Sequence, residues 1–201
     1  YKEANYMSDL LNALNPTPIG WSNKTHYCKW KGISCDSTTQ VVTSIKLPSS
    51  SLSGPLPPHL NTTLTNLTQI DLHNNSLYGP LPYFSNLLLL QTLSLGHNNF
   101  SSVPEGCFDY IPDLRTLNLS NNLKLSNWIF PMNNLSNSVY LNTLDLEATN
   151  MIGPLDAETF IWFPNLHTFI ISHNKVYGNL PQSLGKSAVS CLQLNNNSLM
   201  S

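Results

Sequence analysis

Residues 67–100 read LTQIDLHNNSLYGPLPYFSNLLLLQTLSLGHNNF. Within them the pattern Leu67-x-x-Ile70-x-Leu72-x-x-Asn75-x-Leu77 returns 23 residues later as Leu90-x-x-Leu93-x-Leu95-x-x-Asn98-x-Phe100. Each copy is one short strand and a return segment, too small to bury its own apolar side, so the copies must stack on a shared hydrophobic column. Counting outward from this stretch, copies start at Val42, Leu67, Leu90, Leu114, Leu141, Leu166 and Val189, spaced by 25, 23, 24, 27, 25 and 23 residues. The fold this predicts is an α/β repeat solenoid with a parallel sheet on its concave side, over residues 42–201, preceded by a cap over residues 1–41.

The eighth position after each start reads Ser50, Asn75, Asn98, Asn122, Thr149, Asn174 and Asn197. An Asn there can satisfy backbone groups in the turn that leaves the strand, and Ser or Thr can do so less fully. Several copies then run into Gly and Leu-Pro, as in Leu52-Ser-Gly54-Pro-Leu56-Pro57, Leu77-Tyr-Gly79-Pro-Leu81-Pro82 and Val176-Tyr-Gly178-Asn-Leu180-Pro181, where the chain is expected to turn sharply. Phe84-x-x-Leu87-x-x-Leu90, Phe108-x-x-Ile111-x-x-Leu114 and Phe160-x-x-Phe163-x-x-Leu166 have the spacing of short 3₁₀ or helical returns with aromatics in the core. Two copies depart from the pattern. The third carries Ser101-Ser102-Val103-Pro104, and the fourth, which is the longest, carries Ser126-Asn127-Trp128-Ile129-Phe130-Pro131. That longer insert is either a convex bulge over the core or a protrusion, centred on Trp128, that binds a partner.

Only 10% of residues are charged and the formal net charge is −2, with Lys and Arg totalling nine and scattered. The basic stripe of a nucleic-acid binder is absent. Asn-x-Ser/Thr sequons at Asn23, Asn61, Asn66, Asn74, Asn99, Asn134 and Asn196 are candidate glycosylation sites, which points to a secretory route. An eighth, Asn118, falls on a strand face and is the one least expected to be modified. Cys28 and Cys35 fit a local disulfide ahead of the first repeat, worth about 2.5 kcal/mol in the chain-entropy view. Cys107 and Cys191 lie four repeats apart, too far to bridge across strands about 4.8 Å apart, and are expected to be unpaired thiols.

Alternation along each strand places offsets two, four, six and seven on the concave face. Asp71, His73, His97, Asp145, Glu147 and His173 are the candidate partner-binding residues in that column, together with Trp128 in the fourth repeat. Two neighbouring imidazoles, His73 and His97, are too few for a zinc site, which wants three or four converging ligands. Protonation of all six histidines would move the formal charge from −2 to +4, a means of tuning affinity for a charged partner. No nucleophile elbow, phosphate loop or metalloprotease helix is present, so neither catalysis nor a cofactor is expected.

The N-terminal segment sets Met7, Leu10, Leu11 and Leu14 at helical spacing, then Trp21, then Cys28-Lys29-Trp30-Lys31-Gly32-Ile33-Ser34-Cys35. With the repeats, it resembles the ectodomain of plant leucine-rich-repeat receptor-like kinases, and it is similar in particular to the transmembrane kinase (TMK) subfamily. The signs are Ser-Val-Pro in the third repeat, the long fourth repeat with Trp128 and Pro131, and Phe163-Pro164-Asn165-Leu166 before the sixth strand. The resemblance implies a right-handed leucine-rich-repeat superhelix exposed in the apoplast, with a single membrane span and a Ser/Thr kinase expected outside this stretch. It implies a protein or peptide ligand or co-receptor, with an auxin-binding cupin protein as the subfamily's partner. The alternative is a secreted inhibitor of pathogen polygalacturonases built on the same repeat. The seventh copy stops at Ser201 without a polar capping sequence, so further chain is expected to follow.

Overall fold

Strand formation follows the repeat register. The computed structural model describes residues 2–130 and 135–200. The chain opens with helix α1 (Glu3–Ala13) and a 3₁₀ turn at Tyr27–Lys29, then strands β1 (Ile33–Cys35) and β2 (Val42–Lys46). Each later repeat contributes a concave strand: β4 (Gln69–Asp71), β6 (Thr92–Ser94), β8 (Thr116–Asn118), β9 (Thr143–Asp145), β11 (Thr168–Ile170) and β13 (Cys191–Gln193). These form one eight-stranded sheet in the order β1-β2-β4-β6-β8-β9-β11-β13, antiparallel only between β1 and β2. From β4 onward each strand begins two residues after its repeat start, and equivalent positions pair, as in Ser44↔Gln69↔Thr92↔Thr116↔Thr143↔Thr168↔Cys191.

The central residue of each concave strand from β4 to β11 points inward. Ile70, Leu93, Leu117, Leu144 and Phe169 are fully buried in one continuous core with the flanking leucines. A second layer arises after the strand turn, where β3 (Ser53–Pro55), β5 (Ser76–Pro80) and β7 (Asn99–Ser102) pair in parallel, and so do β10 (Ile152–Pro154), β12 (Lys175–Asn179) and β14 (Ser198–Met200). Between these two small sheets the fourth repeat adds, among the described residues, one isolated bridge, Trp128↔Met151.

The return segments are more varied than the three-residue spacing predicts. Helical turns occur at α2 (Leu60–Thr63) and α3 (Thr159–Trp162), with a 3₁₀ turn at Gln182–Lys186. The Phe84 and Phe108 returns are successive turns instead. The aromatics are nonetheless core: the Phe84 and Phe108 rings stack at 6.1 Å, and Phe160 meets Phe169 edge-on at 5.3 Å.

The cap closes the first repeat. The Trp21 and Trp30 rings stack at 4.6 Å, Trp21 Nε1 donates to Lys31 O, and the Cys28–Cys35 disulfide, with 5.5 Å between Cα atoms, ties the loop to β1. Tyr6 reaches from α1 to donate its hydroxyl to Pro57 O at 3.0 Å, and burial pushes its phenol pKa up. Asn15 and Ser53 exchange backbone hydrogen bonds at 2.9 and 2.7 Å. Gly54, at φ +114°, admits this approach, since a Cβ there would stand 2.1 Å from Ala13 O. Cys107 is buried and Cys191 half-buried, and both are free thiols. Burial raises the Cys107 pKa, and its Sγ donates to Pro82 O.

Candidate functional site: the concave face

The concave face is held in register by asparagines one turn beyond it. Asn98 is buried; its Oδ1 accepts from Leu77 N at 3.0 Å, while Nδ2 donates to Leu72 O in the preceding repeat and to Leu95 O in its own. Asn75, Asn122, Asn174 and Asn197 make the same two-repeat bridge. Thr149 keeps only part of it, donating Oγ1 to Leu146 O at 2.9 Å.

The residue before each ladder position carries a feature that the alternation rule misses. Ser49, Asn74, His97, Asn121, Ala148, His173 and Asn196 all have φ between +49° and +58°. Left-handed backbone favours Asn and His over most residues, and that preference was the available signal. Offset six is also less exposed than strict alternation implies: Gly96, Ser120 and Ser172 are buried. Where the strand passes into the turn, the side chains rotate out of the two-residue period.

The fourth offsets form a row across the sheet, Lys46, Asp71, Ser94, Asn118, Asp145, Ile170 and Gln193. Asp71 and His73 pair within one repeat, Oδ1 to Nδ1 at 2.6 Å. Glu147 and His173 meet across neighbouring repeats at 3.9 Å. His97 stands alongside Asn121, Nε2 to Nδ2 at 3.4 Å. Three strand steps, roughly 14 Å, separate Asp71 from Asp145, too far for both to act on one bond. The Asp145 carboxyl is held above the usual aspartate range chiefly by burial, opposed by the Glu147 N–H it accepts, raised further by the Glu147 charge and lowered by His97. Among the described residues no three His, Cys, Asp or Glu side chains converge as metal ligands. The face is therefore a shallow, polar hydrogen-bonding surface with a carboxylate–imidazole pair in the second repeat and another across the fifth and sixth.

Trp128 does not belong to it. Of the two readings of the insert, Trp128 takes the one that covers the core: the indole is 6% exposed, edge-on to Phe130 at 5.8 Å, with Nε1 donating to Thr149 O at 2.9 Å. An indole packs better over an incomplete core than in water, and the outward residue is Ile129, at 67% exposure. Of the sequons, Asn23, Asn74 and Asn196 are exposed, whereas Asn61, Asn66 and Asn99 are half-buried. Asn61 lies in α2 rather than a loop, its Nδ2 donating to Ser85 O. Asn134 and Pro131 lie outside the described residues.

Comparison with known proteins now fixes the class. The family described as "Leucine rich repeat" matches residues 82–123, and "Leucine rich repeat N-terminal domain" matches residues 3–36. The chain is thus a leucine-rich-repeat domain with the N-terminal cap of that class. Along 96% of its length it is 37% identical to "Receptor-like kinase TMK4" of Arabidopsis thaliana, and along 84% it is 33% identical to "Receptor-like kinase TMK2" of the same plant. It belongs with the leucine-rich-repeat ectodomains of plant receptor-like kinases, similar to the TMK members. It spans about a fifth of the length of those two relatives, 20% and 19%. The ectodomain of GASSHO1/SCHENGEN3 from Arabidopsis thaliana, solved in complex with CASPARIAN STRIP INTEGRITY FACTOR 2, superposes with a TM-score of 0.88 at 26% identity. That superposition covers 98% of this chain and 24% of that one.

Proposed function

We propose that this chain is the ligand- or co-receptor-binding part of a plasma-membrane receptor kinase, exposed in the apoplast, and that it binds rather than catalyses. Residues 1–41 cap the stack and residues 42–201 present the binding wall. The observation that supports this reading is the unbroken sheet from β2 to β13, whose concave wall, in this proposal, offers Asp71, His73, His97, Asp145, Glu147 and His173 to a single partner. Among the described residues no helix is long and apolar enough to cross a membrane. The membrane span and Ser/Thr kinase belong, in this reading, to other parts of the protein. The partner is a protein or peptide, in keeping with the GASSHO1/SCHENGEN3 ectodomain solved in complex with CASPARIAN STRIP INTEGRITY FACTOR 2, and the TMK likeness nominates an auxin-binding cupin protein.

The glycan sites in this proposal are Asn23, Asn61, Asn66, Asn74, Asn99, Asn134 and Asn196, with Asn23, Asn74 and Asn196 the most open to the transferase. Glycosidase treatment followed by peptide mass spectrometry reads them directly. The functional test is affinity capture from apoplastic fluid with the secreted chain, beside a Thr92→Arg, Thr116→Arg double variant that blocks the middle of the wall. Proteins captured by the parent chain and lost by the variant support the reading. Capture of the same set by both chains sinks it, and a purified auxin-binding cupin with no measurable affinity removes that partner alone.

A further inference from the structure

A second surface lies away from the concave wall and has no part in the reading above. Where the Leu-Pro segments of the first three repeats leave β3, β5 and β7, a cavity of about 750 Å³ opens between them and helix α1. Its floor holds Leu56, Leu81 and the rings of Pro57 and Pro82, and its rim holds Pro55, Pro80 and the exposed ring of Tyr83. A second cavity of about 530 Å³ begins at Pro104, which lines both, and continues past Val103, Glu105 and Ile129 to Ile152. The two together make a trough along the solenoid axis. Along its far half the fourth repeat forms no named strand among the described residues, and it links β7 to β10 through Ser126 N–H to Ser101 O and the Trp128↔Met151 bridge.

The chemistry of the wall restricts what can lie in it. Prolines offer no N–H, and the carbonyls of Pro57 and Pro82 are already taken by Tyr6 Oη–H and Cys107 Sγ–H. A strand added by main-chain pairing is thus disfavoured, while flat apolar side chains fit against the pyrrolidine rings and Tyr83. Among the described residues the carboxylates lining the trough are Asp9 and Glu105, the basic side chain is the imidazole of His59 at the α1 end, and neither Lys nor Arg lines either cavity, so the Glu105 half is acidic. Four repeat steps, from Pro55 to Ile152, at about 4.8 Å give roughly 19 Å of trough, matched by about six to eight extended residues at about 3.3 Å each once both ends are included.

We infer that this trough is a docking site for an extended, proline- and aromatic-bearing segment of a protein partner that carries basic residues, one of them seated by Glu105. The probe is a fluorescein-labelled octapeptide, Arg-Pro-Leu-Pro-Arg-Tyr-Pro-Leu, titrated onto the full chain by anisotropy, alongside its counterpart with Glu at both Arg positions. The Arg peptide is expected to bind at least tenfold tighter than the Glu peptide. Glu105→Lys and Tyr83→Ser, both at exposed positions and each checked for an unchanged unfolding midpoint, are each expected to weaken it at least fivefold. Thr92→Arg on the concave wall is expected to leave it unchanged. Equal affinity for both peptides, no saturable binding of either, or loss with Thr92→Arg but not Glu105→Lys overturns the inference. Concentration-dependent dimerisation abolished by Tyr83→Ser would assign the trough to a second copy of this chain and overturn it as well. Because the two tests use different faces and different probes, the proposed function and this docking site can each fail without the other.

Discussion

Beyond the shared concave sheet, repeats two and three are tied by a buried asparagine and a second sheet, whereas repeats four and five are tied by a buried indole and an isolated bridge. In the first pair, Asn98 hands backbone hydrogen bonds from repeat three to repeat two, as Asn122 does from repeat four to repeat three, and β5 pairs with β7 outside it. In the second, Thr149 cannot reach back to Leu119 O or Lys124 N, the outer strand is missing, and Trp128 fills the space while donating to Thr149 O. Asn150 Nδ2 supplies part of the lost link through Leu125 O at 2.7 Å. One apolar column can thus be held in register by directional bonds or by the shape of a large buried ring. The second solution leaves a seam, and the trough opens beside it.

The comparison can be broken at its strongest points first. Trp128→Ala empties the seam and strands Thr149 O, and it should cost about 4 kcal/mol, in the usual range for a buried aromatic truncated to Ala. Asn98→Ala leaves Leu77 N, Leu72 O and Leu95 O without their partner in a buried setting, for a cost of about 3 kcal/mol. Thr149→Val, at the equivalent ladder position, removes a single hydroxyl bond and should cost about 1 kcal/mol. Urea unfolding of the three variants measures all of this. Equal losses for Asn98→Ala and Thr149→Val would mean that the ladder does not distinguish the two regions.

The stack and the seam differ in how far they could be read beforehand. Repeat starts, strand register, the asparagine column and the cap disulfide all come from local patterns that recur or sit close in sequence, and each lands where the spacing puts it. Trp128 was ambiguous because an indole one repeat from the norm has the same sequence context whether it covers a core or leaves it. Only the missing strand beside it, a fact about two neighbouring repeats, decides for burial. The concave candidates are legible as a column, but their pairing is not. Asp71 with His73 lies within one repeat, while Glu147 with His173 depends on side-chain reach between repeats. The proline trough escaped notice because each Leu-Pro reads as a turn by itself and becomes a wall only when stacked against α1.

Smaller effects sharpen the contrast at the concave face of the same seam. Ala148 occupies the left-handed column at φ +52°, where its neighbours are Asn121 and His173. Left-handed backbone penalises an Ala Cβ, so Ala148→Gly should stabilise by about 1 kcal/mol, raising the urea midpoint with an unchanged slope. The same change at Asn121 should bring no gain, since Asn tolerates the conformation.

Asp145 gives the finest test, because the equivalent residue one repeat earlier is Asn118. Asn118 Oδ1 accepts from Ser120 N at 2.9 Å, as Asp145 Oδ1 accepts from Glu147 N at 3.2 Å, so Asp145→Asn keeps the bond and removes only the charge. Burial, aided by the Glu147 charge, raises the Asp145 pKa in the fold. A carboxyl with a raised folded pKa binds its proton more tightly when folded, so its contribution to stability declines as pH rises from the ordinary aspartate value of about 3.9 through the folded value. Above that window the ionised Asp145 is a net cost, and Asp145→Asn should raise stability by about 0.5 kcal/mol at pH 7, in keeping with a partly screened charge. Below the window both forms are neutral and the difference should vanish. Thermal unfolding of the pair at pH 7 and pH 3 reads this, and a gain of the same size at both values would show that packing rather than ionisation separates Asp145 from Asn118.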